Sequence, residues 1–228
     1  MLGELLAVSA PSNVDDAATF ASQAAEFIGT AAFAASGALV AVRRNLDIVG
    51  IILLACATAL GGGITRDVLI GSTPPVAFTD LRYIAAAVVT GLVIFVWHPP
   101  VRLTRWPLFV TDAIGLGMFA VNGTVIAYSA GLAAPSAALL GLTTAIGGGV
   151  IRDVLSGQVP GVLRHDEHLY AIPAFAGAVI TAALLYSDVY RGWMGLLCVA
   201  FVIGLRLASI RYDWHGPRPR YARDMSSD

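Results

Sequence analysis

Two short segments of the sequence combine helix-weakening glycines with ionisable side chains. The first, GGGITRDVL, runs from Gly61 to Leu69, and the second, GGGVIRDVL, runs from Gly147 to Leu155. Each follows a long apolar stretch, where a charged side chain is costly and is therefore a functional candidate. The charged candidates are Arg66, Asp67, Arg152 and Asp153.

The glycine triplets predict a disturbance of the helices that contain them. Each helical glycine costs about 1 kcal/mol relative to alanine, and backbone exposed to lipid cannot stay unpaired. We expect a kink or a break that faces protein or water, where freed carbonyl and N–H groups bind ions or water. The alternative is close packing of neighbouring helices through small residues. The candidate positions are Gly61, Gly62, Gly63, Gly147, Gly148 and Gly149.

The composition predicts a membrane protein. The chain of 228 residues is 57% hydrophobic and 13% charged, with a mean hydropathy of +0.76. Soluble domains are about 25% charged, so this chain has too few charges to cover a water-facing surface. The formal net charge of −1 predicts no nucleic-acid partner. The lipid bilayer is the expected surrounding.

Seven apolar segments have the length expected of membrane spans. We divide the chain into a polar lead-in (1–19), three spans (20–98), three further spans (106–187), a seventh span (190–210) and a basic tail (211–228). Arginines concentrate on alternate loops and in the tail. We expect the chain in the inner cell membrane, and the positive-inside rule then orients it with its N-terminus outside and its C-terminus in the cytoplasm.

The two motifs belong to a longer internal repeat. Residues 26–80 align with residues 112–166 at an offset of 86 without gaps, with 22 identities in 55 pairs. A unit of three spans enters the membrane from opposite sides in its two copies, which predicts an inverted repeat. The fold class is therefore all-α, with an inverted three-plus-three repeat, one extra helix, and spans two and five kinked at the triple glycines. Such repeats place the transport site near the bilayer midplane.

The repeat symmetry suggests partners for the buried arginines, because a buried Arg needs a carboxylate. We expect Arg66 to pair with Asp153, and Arg152 with Asp67. The alternative is that each arginine meets the carboxylate of its own motif near the surface.

Polar and aromatic side chains share one face of spans one and four and precede the glycines of spans two and five. They predict a narrow polar path with an aromatic constriction. Alternatively, the hydroxyl groups bond to carbonyls of their own helices and line nothing. The candidates for lining or gating are Phe33, Ser36, Thr58, Phe119, Asn122 and Thr144.

The doubled GGGxxRDVL motif, three residues after a threonine on spans two and five, resembles the prokaryotic branch of the trimeric intracellular cation (TRIC) channel family. The resemblance extends from about Phe20 to Ile210. It implies a homotrimer with one pore in each protomer, lined by spans one, two, four and five and kinked at the triple glycines. It also implies conduction of monovalent cations, mainly potassium. Domains of this type have also been labelled glycine transporters.

Two functions fit these features. The first is a passive, potassium-permeable cation channel that needs no cofactor beyond permeant potassium or sodium ions and pore water. The second is a secondary transporter of a small zwitterion such as glycine, which broken helices and inverted repeats suit equally. An enzyme is disfavoured, because the glycine triplets lack the Lys-Ser/Thr of a phosphate loop. The histidines His98, His165, His168 and His215 form no metal-ligand pattern in the sequence.

Overall fold

The structure, a computed structural model, describes residues 12–164 and 168–215, with side chains from Ser22 onward. These residues form eight α-helices and two short 3₁₀ turns. The helices are α1 (Ser12–Arg43), α2 (Ile48–Leu69), α3 (Val76–Thr79), α4 (Leu81–Trp97), α5 (Arg105–Ser129), α6 (Ala134–Leu155), α7 (Ala171–Tyr186) and α8 (Gly192–Arg211). The expected all-helical class is confirmed, and α1 begins inside the predicted lead-in. Most of the predicted basic tail, His165 and Asp166 lie outside the described residues.

Five of the described helices are long and apolar enough to cross a membrane: α1, α2, α5, α6 and α8. The apolar helices α4 and α7 occupy the predicted third and sixth spans but contain only 17 and 16 residues. The outer faces of the bundle carry large exposed apolar side chains, among them Leu53, Val96 and Leu196. Such faces are unfavourable in water and suit lipid.

The helix ends follow from local sequence signals. The Asp47 carboxylate caps α2 by accepting a hydrogen bond from the Gly50 N–H at 2.8 Å, as an N-cap residue does. At the other end of α2, Gly71 has a φ of +74°, and Gly157 after α6 has a φ of +72°. Both positions need the left-handed conformation that glycine adopts without strain, and they reverse the chain after each RDVL segment.

Helices α1 and α5 are the most enclosed of the long helices. Helix α1 packs against α2, α4 and α5, whereas α5 packs against α1, α6, α7 and α8. Helix α2 also packs against α6. The main core lies among these helices and includes Phe33, Leu39, Ile51, Leu116 and Phe119. The motif-bearing helices α2 and α6 thus meet beside the two most buried helices.

Candidate functional site

The middle glycines of the two triplets form the crossing point of α2 and α6. A Cβ atom on Gly62 would collide with the carbonyl oxygen of Thr144, and one on Gly148 would collide with the carbonyl oxygen of Thr58. These reciprocal contacts show that the two helices run antiparallel where they cross. Close backbone approach therefore requires glycine at both middle positions, as in small-residue membrane interfaces.

The outer glycines have different neighbours. A Cβ on Gly61 would meet the Ile151 side chain, and one on Gly149 would meet the Tyr170 hydroxyl. Gly147 faces the Gly62 Cα, and Gly63 has space, with only Glu26 Oε1 at 3.9 Å. Both helices continue without interruption through their triplets. The triplets therefore do not divide these helices into half-helices, whereas a bend at the glycines remains a prediction.

Arg152 is the centre of a buried cluster on the C-terminal half of α6. Its Nη1 donates to Asp112 Oδ1 and to Ser36 Oγ, each at 2.5 Å, and its Nε donates to Asp153 Oδ1 at 2.9 Å. These four residues, the Arg152 cluster, join α1, α5 and α6.

Arg66 forms the corresponding cluster on α2. Its Nη2 lies 2.6 Å from Glu26 Oε1 and 2.7 Å from Asp67 Oδ1, and its Nε lies 2.9 Å from the same Asp67 oxygen. The Arg66 side chain is only 1% exposed. Arg66, Glu26 and Asp67 are called the Arg66 cluster below.

The expected cross pairs, Arg66 with Asp153 and Arg152 with Asp67, are wrong. Each arginine instead pairs with the aspartate of its own motif and with an acid 40 residues earlier. The reason is the antiparallel crossing, because each arginine lies four residues beyond its middle glycine, in opposite directions. At a rise of 1.5 Å per residue the two arginines are separated by about 12 Å along the helices, too far for a direct ion pair.

The motif aspartates also hold the loops that follow their helices. The second carboxylate oxygen of Asp67 accepts a hydrogen bond from the Val76 N–H at 3.0 Å. The equivalent oxygen of Asp153 accepts one from the Gly161 N–H at 2.9 Å. Each aspartate therefore connects its arginine to the loop beyond it, and the repeated RD pair is a structural anchor as well as a buried charge.

A stacked pair of phenylalanines lies between the two clusters along α1 and α5. The Phe33 and Phe119 rings are 5.4 Å apart at their centroids and 11° from parallel, and they are 1% and 2% exposed. Each ring packs over a glycine of the other helix, Phe33 over Gly115 and Phe119 over Gly29. The aromatic constriction that the sequence predicts corresponds to this contact, although its role as a gate remains a prediction.

Two cavities approach the stacked rings from opposite ends of the bundle. The basic cavity, of about 600 Å³, reaches Asp112, Arg152 and Tyr170 and has four further arginines on its wall, Arg43, Arg44, Arg105 and Arg164, as well as the buried Arg206. The narrow cavity, of about 20 Å³, is lined by residues that include Glu26, Thr30, Gly63, Asp67 and Phe119. The two cavities share no lining residue, and the stacked rings lie between the clusters that they reach.

The other predicted lining residues lie inside the protein. Thr58 and Thr144 are buried and donate to the Leu54 and Leu140 carbonyls at 2.6 and 2.7 Å, and neither lines one of these two cavities. Asn122 accepts a hydrogen bond from the Ser22 hydroxyl at 2.7 Å. In this conformation the threonines therefore match the alternative of hydroxyl groups that bond to their own helices.

Sequence reasoning did not anticipate Tyr170 and Arg206 beside the Arg152 cluster. The Tyr170 hydroxyl lies 3.5 Å from Asp112 Oδ1, and the Arg206 guanidinium lies 4.8 Å from the centroid of the Tyr170 ring. Arg206 also donates to the Leu169 carbonyl at 2.9 Å, so this span-seven arginine turns inward onto the start of α7. Tyr170 and Arg206 fall outside the aligned segments, and the alignment therefore carries no signal for them.

The formal charges determine what the clusters can do. Each cluster combines one guanidinium with two carboxylates. With these groups ionised, each carries a net charge of about −1 in surroundings of low dielectric constant, where such a charge acts strongly. The Arg66 cluster therefore favours cations over anions. The Arg152 cluster is net negative by itself, but the wall of the basic cavity around it carries five further arginines and, among the described residues, no further carboxylate.

This arrangement of helices and sites defines a multi-pass α-helical membrane protein. The family model described as "Glycine transporter" matches residues 23–99 and again residues 109–186. The chain belongs to this family, and the two matches begin at positions separated by the offset of the internal repeat.

Curated relatives are membrane proteins of similar length. The chain is 35% identical to the UPF0126 inner membrane protein YadS of Escherichia coli over 201 residues, which cover 87% of this chain and 95% of that protein. It is 46% identical to a UPF0126 membrane protein of Streptomyces coelicolor over 201 residues, 88% of this chain and 91% of that protein.

Solved structures of similar fold are cation channels. The TRIC trimeric intracellular cation channel orthologue from Rhodobacter sphaeroides superimposes with a TM-score of 0.79 at 31% identity, covering 84% of this chain and 98% of that one. A second TRIC cation channel, studied for its conductance, gives a TM-score of 0.78 at 35% identity over 87% of this chain and 97% of that one. The predicted resemblance to prokaryotic TRIC channels is confirmed.

Proposed function

We propose that the protein is a passive, potassium-permeable cation channel with one pore inside each protomer, lined by α1, α2, α5 and α6. The observation that carries this proposal is the pair of net-negative clusters on either side of the Phe33–Phe119 stack. Within each cluster two carboxylates face one arginine, so a cation beside the stack meets an excess of carboxylates, whereas the wider basic cavity carries an excess of arginines. In this proposal the described conformation is the closed one, since the two cavities share no lining residue and the stacked rings lie between the clusters.

The proposal includes the arrangement in the membrane. Seven spans form an inverted repeat, with a bend at the triple glycines, and the chains assemble as a homotrimer in the inner membrane. The basic cavity opens to the cytoplasm, because the arginines on its rim satisfy the positive-inside rule. The N-terminus is then outside and the C-terminus inside. Likeness to the trimeric intracellular cation channel orthologue from Rhodobacter sphaeroides supports the homotrimer.

A secondary transporter of a small zwitterion such as glycine is the second candidate. The family description favours it, and so does one feature of the site. Each cluster presents a guanidinium and carboxylates together, and these groups can receive the carboxylate and the amine of an amino acid. Transport of this kind is saturable and couples uptake of the substrate to the gradient of another ion, whereas a passive channel lets potassium flow down its own gradient.

The two functions are separated by flux measurements in liposomes that contain the purified protein. We expect rapid potassium flux, followed with a pH-sensitive dye and a proton carrier, and a several-fold loss in the double variant Glu26→Gln with Asp112→Asn. The control is Asp80→Asn, which alters the exposed Asp80–Arg82 pair. Potassium flux no faster than in empty liposomes, with saturable uptake of labelled glycine, would replace the channel by the transporter.

A further inference from the structure

Three metal-ligating side chains from distant parts of the chain meet where α7 begins and α8 ends. His168 precedes α7, whereas Asp213 and His215 follow α8. The Nε2 atom of His168 lies 3.1 Å from Oδ1 of Asp213, and the Nε2 atom of His215 lies 3.9 Å from the same oxygen. One ligand atom from each residue falls within 4.8 Å of the other two. The sequence predicted no such cluster, because 45 residues separate the first histidine from the aspartate.

The backbone holds these residues together independently of their side chains. His168 and His215 form an isolated antiparallel bridge, and the Leu169 N–H donates to the Trp214 carbonyl at 3.1 Å. On the inner side, Arg206 donates to the His168 carbonyl at 3.1 Å and to the Leu169 carbonyl at 2.9 Å. The two backbone segments are therefore positioned before any ligand binds. The imidazole rings of His168 and His215 are stacked with centroids 5.2 Å apart, so they must turn for both Nε2 atoms to face one ion.

We infer that His168, Asp213 and His215 form a binding site for a divalent transition-metal ion of the zinc type. A tetrahedral zinc ion with ligand distances of about 2.1 Å places its donor atoms about 3.4 Å apart, and the two distances to the Asp213 oxygen fall on either side of this value. Imidazole nitrogen selects zinc, copper, nickel or cobalt over calcium and magnesium, which prefer oxygen ligands.

The site is open to the aqueous phase at the end of the bundle. The side chains of His168, Asp213 and His215 are 13%, 81% and 28% exposed. Three protein ligands leave a fourth position for water. An ion bound here links the start of α7 to the end of α8, two residues from Tyr170 on the wall of the basic cavity. A bound ion therefore stabilises the wall of the basic cavity around Tyr170.

The test uses the full chain with an affinity tag that contains no histidine, stripped of metal with a chelator. Equilibrium dialysis should give one bound zinc ion per chain. When Co²⁺ replaces zinc, the bound cobalt should show the visible absorption bands of a four-coordinate site. His215→Ala, at a partly exposed position after α8, should weaken binding by at least about tenfold, the loss that even an outer-shell change produces. Asp213→Asn removes the negative charge of the third ligand while it keeps the size and shape of the side chain, and it should also weaken zinc binding.

His98→Ala is the matched control, because His98 is exposed and lies outside the cluster. Zinc should raise the melting temperature of the wild type and of His98→Ala, but not that of His215→Ala. A wild-type chain that binds no zinc at one equivalent would overturn the inference. The inference would also be overturned if the His215→Ala and Asp213→Asn proteins bind zinc with unchanged affinity. Size-exclusion chromatography, in which both should elute as the wild type does, shows that the variants are folded.

Discussion

The Nη1 atom of Arg152 lies 2.5 Å from the Oδ1 atom of Asp112, which stands 40 residues earlier in the chain. Arg66 and Glu26 form the same contact with the same separation in sequence. Each repeat therefore neutralises its own arginine through its own first helix. The two copies meet through glycines, stacked phenylalanines and the Arg152–Ser36 hydrogen bond rather than through the expected ion pairs.

Double-mutant cycles should locate the ion pairs within each repeat. Arg66→Gln and Glu26→Gln should each destabilise the protein, and their combined effect should depart from additivity by about 0.5–3 kcal/mol because the residues are in contact. Arg66→Gln with Asp153→Asn should be additive within about 0.5 kcal/mol, because these residues do not share partners. The free energy of unfolding of each variant, measured in mixed micelles, gives the coupling energy of both pairs. Strong coupling only in the second cycle would restore the cross-paired arrangement.

Glycine-to-alanine variants distinguish close packing from flexibility at the triplets. Gly62→Ala should destabilise the fold by about 1–3 kcal/mol, because its Cβ meets the Thr144 carbonyl and backbone cannot yield easily. Gly63→Ala has space for its methyl group and should keep or raise stability, since alanine is the better helix former. Thermal unfolding in detergent compares the two.

Potassium flux through the Gly63→Ala protein then tests the predicted bend. If permeation requires α2 to bend at its glycines, flux should fall although the fold remains stable. Equal flux in the wild type and Gly63→Ala would leave packing as the only role of this triplet.

The fold was largely predictable because its signals are local or repeated. Apolar length located the helices, and the fixed offset between the motifs revealed the duplication. The same offset aligned Glu26 with Asp112, yet the sequence suggested cross pairs for the arginines rather than these two acids as their partners. The inverted repeat already implied that α2 and α6 run antiparallel. What the offset could not supply was which residues of the two helices meet where they cross, because this depends on tertiary packing at Gly62 and Gly148.

The parts of the site that sequence missed come from outside the aligned segments. Tyr170 precedes α7, and its counterpart Tyr83, which lines the narrow cavity, is one residue away from the position that the offset gives. Arg206 lies on α8, outside the repeat. Tyr170 and Arg206 form a cation–π contact, and the distance between them in the sequence does not predict it. The contact between His168 and His215 was missed for a similar reason, because the two residues meet only where the end of α8 lies beside the start of α7.

Shortening Phe33 should open the connection between the two cavities. Phe33→Ala removes half of the stacked pair and should raise potassium flux several-fold, at a cost of about 3–5 kcal/mol in stability. Phe33→Leu is a milder companion that keeps an apolar side chain in the core. Phe175→Ala, at an exposed position on α7, is the control and should change neither quantity much. Unchanged flux in a folded Phe33→Ala protein would mean that the stacked rings do not limit permeation.

Removing charge from the rim of the basic cavity should change cation flux in a salt-dependent way. Arg43, Arg44 and Arg105 are exposed there and repel cations that approach the Arg152 cluster. A unit charge about 10 Å away in water shifts the energy of a potassium ion by about 0.4 kcal/mol, so each neutralised arginine should raise flux roughly twofold at low salt.

The variant Arg43→Gln with Arg44→Gln and Arg105→Gln should therefore conduct faster than the wild type in 10 mM potassium. The advantage should shrink in 500 mM potassium, where the Debye length falls to a few ångströms. Arg82→Gln removes an exposed arginine that does not line the basic cavity and should have little effect at either concentration. Slower flux in the triple variant at low salt would indicate that the rim attracts the transported species, as expected if that species is an anion or carries a carboxylate.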